Sequence, residues 1–172
     1  DEILHFCQDQ NCQPEALKKS LQEGIEKGYI FQHEQFHLCQ DKPEWVKQRK
    51  EHNHRATRYL SRAYKIAQLI RRFPYVRAVF LSGALSKNVM PKDGDIDYFI
   101  VTKTGRLWIS RTLLVLFKKI FLINSHKYSC VNHFVDEEHL EIDEKNLFTA
   151  MEQVILVPLH NLGISRESRP II

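Results

Sequence analysis

The stretch LSGALSKNVMPKDGDIDYFIV, residues 81–101, sets two aspartates one residue apart at the head of an apolar run, just after a turn of small residues. Residues i and i+2 of a strand share a face, so Asp95 and Asp97 are expected to project side by side while Ile96 and Tyr98 face the other way. Two carboxylates that close repel each other unless a cation lies between them. Magnesium (Mg2+) suits such a place, because it takes one or two carboxylates together with substrate phosphates. Manganese (Mn2+) accepts the same oxygen donors and is the expected substitute. The turn Ser82-Gly83-Ala84 lacks bulk, so its backbone N–H groups can approach phosphate closely. At the start of a following helix they would also gain the favourable field of that terminus.

Outward from this stretch the periodicity alternates between strand and helix. YVRAVFLSG, DIDYFIVT and KYSCVNHFVD read as strands, rich in β-branched and aromatic residues. Ser82 to Gly94 reads as a loop, marked by Gly83, Pro91 and Gly94. GRLWISRTLLVLFKKIFLI and NLFTAMEQVILVPL read as helical. Upstream, residues 47–73 predict one long helix, with Ala56, Tyr59, Leu60, Ala63, Ile66, Ala67 and Ile70 on its buried stripe. Its other faces carry Arg49, Lys50, Arg55, Arg58, Arg62, Lys65, Arg71 and Arg72, a solvated face or a phosphate-lining one. His52 and His54 point about 200° apart on that helix and do not converge on a metal. This order predicts an α+β domain over residues 43–172, a mixed sheet flanked by helices.

Residues 1–42 read as a separate small segment. PEALKKSLQEGIEKG predicts an amphipathic helix, with Leu17, Leu21 and Ile25 at four-residue steps, Pro14 near its start and Gly28 past its end. YIFQHEQFHLC reads as a hairpin turning over Gln32 to Gln35. Helix then hairpin is the tail of a winged-helix module. The earlier helices of such a module are not in the sequence, which opens without methionine, so a longer natural chain is expected.

At this point the residues carry a resemblance. A Gly-Ser-type turn, about ten residues, then an acidic-apolar-acidic triplet entering a strand resembles the polymerase-β-like nucleotidyltransferase superfamily, here as LSGALS, then DID and YFIV. The resemblance extends through GRLWISR and CVNHFVDEEHL to NLFTAMEQVILVPL, and it looks like a bacterial branch with an N-terminal winged-helix-like segment. It implies a nucleotidyltransferase-like fold and a magnesium-dependent enzyme moving a nucleoside monophosphate from a nucleoside triphosphate to an unidentified acceptor hydroxyl. Asp95 and Asp97 match the catalytic, metal-binding pair, and Gly83 matches the glycine that lets phosphates near. The serine that follows that glycine in the family is Ala84 here, with Ser82 and Ser86 flanking it. The family's third carboxylate falls near Asn132, whose amide oxygen is a metal ligand but not a base; Asp136, at the far end of that strand, is the second choice. Arg111 is a candidate for the triphosphate or for a buried acid. Trp108, three residues before it on the same helix face, is read as core rather than as a base-stacking platform. The alternatives are a nucleotide-binding or regulatory member of the same fold without turnover, and a winged-helix DNA-binding regulator, ranked last for want of a basic recognition face.

Composition bounds these readings. At 172 residues, 43% hydrophobic and 27% charged, the chain suffices for one ordinary core and a small second module. Arg111, Lys118 and Lys119 interrupt its most apolar segment, so no spanning helix is expected. Asp1 and Glu2 stand where an export signal would be positive, which makes the cytoplasm the default location and leaves no membrane partner. A net charge of +4 suits a polyphosphate and gives a nucleic-acid partner only weak support. Cys7, Cys12, Cys39 and Cys130 lack metal-ligand spacing and are expected as reduced core thiols. His126, His133 and His139 are expected at the surface.

Overall fold

The computed structural model describes residues 13–121, 130–139 and 155–161. Contacts divide the chain into two units at the Glu51/His52 junction. That junction lies inside a helix, later than the 42/43 boundary expected from composition, because one uninterrupted helical pattern serves both units.

In the first unit, helix α1 (Pro14–Glu26) opens on a proline, whose missing N–H is no loss in a first turn. It closes at Gly28, which holds φ +74°. The Gly28 N–H donates to the Ile25 carbonyl at 3.0 Å and the Tyr29 N–H to Gly24 at 2.9 Å, so the glycine satisfies the last helical carbonyls. Strands β1 (Phe31–His33) and β2 (Phe36–Leu38) form an antiparallel hairpin. Its turn is Glu34-Gln35, tighter than expected, since Gln32 and His33 pair with His37 and Phe36. Glu34 takes the positive φ, 54°, that such a short connection needs. Cys39, read as core filler, is exposed.

Helix α2 (Pro43–Ile70) crosses the junction. In the second unit follow β3 (Val76–Ser82), the one-turn α3 (Gly83–Ser86), β4 (Asp97–Thr102), α4 (Leu107–Phe121), β5 (Cys130–Asp136) and β6 (Val157–Asn161). The sheet order is β5-β4-β3-β6, with β3 antiparallel to β4 and β6, and β4 parallel to β5. This is an α+β architecture with a mixed four-stranded sheet. One correction concerns β6. The helical reading of NLFTAMEQVILVPL fails at Val157–Leu159, which form an edge strand on β3; residues 146–154 lie outside the described residues. Pro158 is tolerated because an edge strand need not donate every backbone bond, and the register slips where it faces Phe80.

The two sheet faces differ. Val79, Leu81, Tyr98 and Ile100 meet Ala56, Ala63, Ala67 and Ile70 of α2 and Leu114 of α4 in the main core. Of the stripe expected on α2, these four are in that cluster and Tyr59, Leu60 and Ile66 pack against it. Its alanines let the helix lie close to the sheet, and the Tyr98 hydroxyl donates to the Ala63 carbonyl at 3.1 Å. Burial pushes the Tyr98 phenol above its ordinary range. Ala78, Phe99 and Val101, with Phe80, Val135 and Leu156, make a smaller cluster on the other face. Trp108, read as core, is 72% exposed, because Ser110 and Leu114 supply the inward face of α4 instead. Among the described residues no helix is long and apolar enough to cross a membrane.

Candidate functional site

Pairing of β3 with β4 sets Ser82 opposite Asp97. Directly paired residues share a sheet face, and the pairs Phe80–Phe99 and Ala78–Val101 place this one on the side of the smaller cluster. Asp97 therefore opens β4 on the face away from α2. Ile96, wholly buried in the main core, separates it from Asp95, and both aspartates are half-buried. The alternation expected across Asp95-Ile96-Asp97-Tyr98 is thus present at the two apolar positions.

Gly83 follows at φ +68°, a conformation that L residues rarely adopt. A β-carbon there would overlap the Asp97 carboxylate and come within 3.1 Å of its Cγ. The bare α-carbon is what lets the acid lie against the turn. Beside it, the Ser82 hydroxyl is buried, the residue being 7% exposed, and has no hydrogen-bond partner among the described residues. An unsatisfied buried hydroxyl costs about 1–3 kcal/mol, a cost that a bound ligand's oxygen would remove. Of the two serines flanking Ala84, Ser86 donates instead to the Gly83 carbonyl at 2.8 Å, which steadies the turn. Ala84 itself is half-buried and offers only its backbone.

The loop joining turn and acids is pinned at its middle. The Met90 N–H donates to the His52 carbonyl at 3.2 Å, and Arg55 Nη1 donates to the Met90 carbonyl at 3.0 Å. Leu85 and Met90 are anchored in the core. A β-carbon at Gly94 would stand 2.7 Å from the Met90 sulfur, so a side chain there would make the end of Met90 shift. Arg55, grouped by sequence with a phosphate-lining face, is in fact a brace for this loop. Nothing in its spacing signalled that role, because its partner is a backbone carbonyl 35 residues away.

The remaining candidates are distributed unevenly. Asn132 sits in β5 at the slip in its pairing with β4, between the Tyr98–Val131 and Phe99–His133 pairs, and so belongs to the strand beside Asp97. Asp136 pairs with Thr102 at the opposite end of β4, about 17 Å from Asp97 at the rise of a strand. Its carboxylate accepts the Gly105 N–H at 2.8 Å and the Glu138 N–H at 3.0 Å. Those backbone donors, at Glu138 and then Gly105, hold the carboxyl below the ordinary value. It fastens two loops and is no part of the Asp97 site. Arg111 lies one turn into α4, which starts from that same distant end, and its guanidinium covers Trp108 at 5.4 Å. His133 and His139 are exposed, as expected. Cys7, Cys12 and His126 lie outside the described residues. Among the described residues no group of three or more His, Cys, Asp or Glu is placed to hold a metal ion.

Comparison of the chain with known protein families, curated proteins and solved structures found no match.

Proposed function

We propose that the protein is a magnesium-dependent nucleotidyltransferase of the polymerase-β-like kind, transferring a nucleoside monophosphate from a nucleoside triphosphate to an acceptor hydroxyl. The observation that supports it best is the bare Gly83 backbone against the Asp97 carboxylate, with the buried Ser82 hydroxyl, which has no partner among the described residues, on the same sheet face. Those features suit a phosphate-bearing ligand. Asp95 and Asp97 would hold the magnesium, which when bound supplies neutralisation of phosphate charge. The chain's own work is positioning. The open turn admits phosphate oxygens, the Ser82 hydroxyl donates to one of them, and the Met90 brace keeps turn and acids in register before substrate arrives.

A second reading keeps the binding and drops the turnover. It is favoured by Ala84 at the family's serine position and by Asn132 where a third carboxylate is expected, since an amide cannot accept the acceptor hydroxyl's proton. Incubation with each labelled nucleoside triphosphate, magnesium and a panel of RNA, protein and small-molecule acceptor hydroxyls separates the two. Pyrophosphate release that disappears in Asp95→Asn plus Asp97→Asn supports the enzyme. Magnesium-dependent binding with no release supports the second reading, and neither binding nor release refutes both.

A further inference from the structure

The charge of the second unit is one-sided. Between Glu51 and Asp93 the sequence has no aspartate or glutamate, nor any between Asp97 and Asp136, while arginine and lysine recur through both intervals. On α2 they are ordered. Arg58, Arg62 and Lys65, then Leu69, then Arg72 just past the helix end, follow at steps of four and three residues that keep side chains on one stripe. All are exposed, and the stripe lies opposite the buried Ala56, Ala63, Ala67 and Ile70. At the rise of an α-helix it is about 21 Å long. Like charges at these spacings weaken a helix, so helix stability alone does not account for the pattern.

Exposed flat rings follow it along the chain. Three residues beyond Arg72, Tyr75 is 41% exposed with the Arg106 guanidinium 5.4 Å from its ring centre, and it holds φ +69°, an unusual conformation for so bulky a residue. Two residues past Arg106, Trp108 is 72% exposed beside Arg111. We infer that the outward stripe of α2, followed along the chain by Tyr75 and Trp108, binds single-stranded nucleic acid: the cations track phosphates and the rings stack bases. A duplex would engage the cations and leave the rings idle. The surface belongs to the helix-covered side of the sheet and Asp97 to the other, so the inference stands apart from nucleotidyl transfer.

The test is fluorescence anisotropy of the full chain with labelled 20-nucleotide single strands of RNA and DNA, the matching duplex, and anionic phosphatidylserine vesicles, all in EDTA. Four phosphate contacts on a single strand give a log–log salt slope near −3, or roughly a 50-fold loss of affinity between 50 and 200 mM salt. Arg58→Gln plus Lys65→Gln should halve that slope, and Arg58→Lys should keep it. Trp108→Ala should weaken single-strand binding about fivefold with the slope unchanged, because stacking is not screened. Asp95→Asn plus Asp97→Asn should bind as the unaltered protein does. Circular dichroism confirms that each variant is folded. Unchanged binding in the glutamine variant overturns the inference, as does preference for duplex, or adsorption to vesicles without binding to single strands.

Discussion

Position 83 admits glycine for two separate reasons, its positive φ and the Asp97 carboxylate lying where a side chain would begin. Gly83→Ala is expected to lose about 1–3 kcal/mol in denaturant unfolding, the ordinary scale for a strained backbone position, and to lose magnesium-dependent nucleotide binding with it. Ser82→Ala should separate those effects. Removing a buried hydroxyl that has no partner among the described residues leaves stability level or raises it by up to about 1 kcal/mol, while nucleotide affinity falls. A hydroxyl serving only the fold would show the reverse, with stability lost and affinity kept. The sequence marked both residues, through a small-residue turn at the right distance from an acidic pair. It could not say which flanking serine is spent: that depends on the Gly83 carbonyl being in reach of Ser86, a detail of a one-turn helix.

Among the elements, α2 was the most legible, because seven apolar residues repeating at helical spacing leave one face to bury. Strand β6 was the least. Ile155-Leu156-Val157 reads equally well as a helix end or an edge strand, and only the open side of β3 decides between them. Trp108 was misjudged for a related reason: size suggests burial, but helix phase gives the inward positions to Ser110 and Leu114. The join between α2 and the sheet has its own test. Tyr98→Phe deletes the bond to the Ala63 carbonyl and should cost about 1 kcal/mol at neutral pH. Since burial raises the folded-state phenol, its contribution is whole below the ordinary value of 10.0 and is lost as pH climbs above it. The phenylalanine variant should therefore lose less stability than the unaltered protein between pH 10 and 11, measured by urea unfolding.

Over the whole molecule, the sheet has two ends with different duties. One carries the turn and acids. At the other, Asp136 and Glu137 tie down the start of α4: Glu137 accepts the Thr104 N–H at 3.3 Å, and the Arg77 Nε lies 3.3 Å from its other oxygen, an ion-pair separation without hydrogen-bond alignment. Asp136, the second choice from sequence for the third carboxylate, sits at the far end of its strand, and the parallel register of β5 on β4, which spacing along the chain does not reveal, carries that end away from Asp97. Its depressed carboxyl makes an acid-range prediction. The stabilisation is present above the ordinary value of 3.8 and is lost as pH falls through the lower folded-state value. Asp136→Ala should thus be less stable than the unaltered protein at neutral pH, and the difference should shrink below pH 3.8. Nucleotide binding at pH 7 should survive this change, and its loss would mean that Asp136 serves the site after all.

The conformation at Gly83 also has a handedness. Its φ of +68° is one that a D-amino acid adopts with ease, and in such a residue the methyl replaces the other α-hydrogen, not the one that points at the Asp97 carboxylate. Chemical ligation of the protein with D-alanine at this position would keep the backbone shape and spare the carboxylate, whereas L-alanine would disturb both. Chirality at a single atom would then report whether the site requires emptiness on one side of the α-carbon or on both.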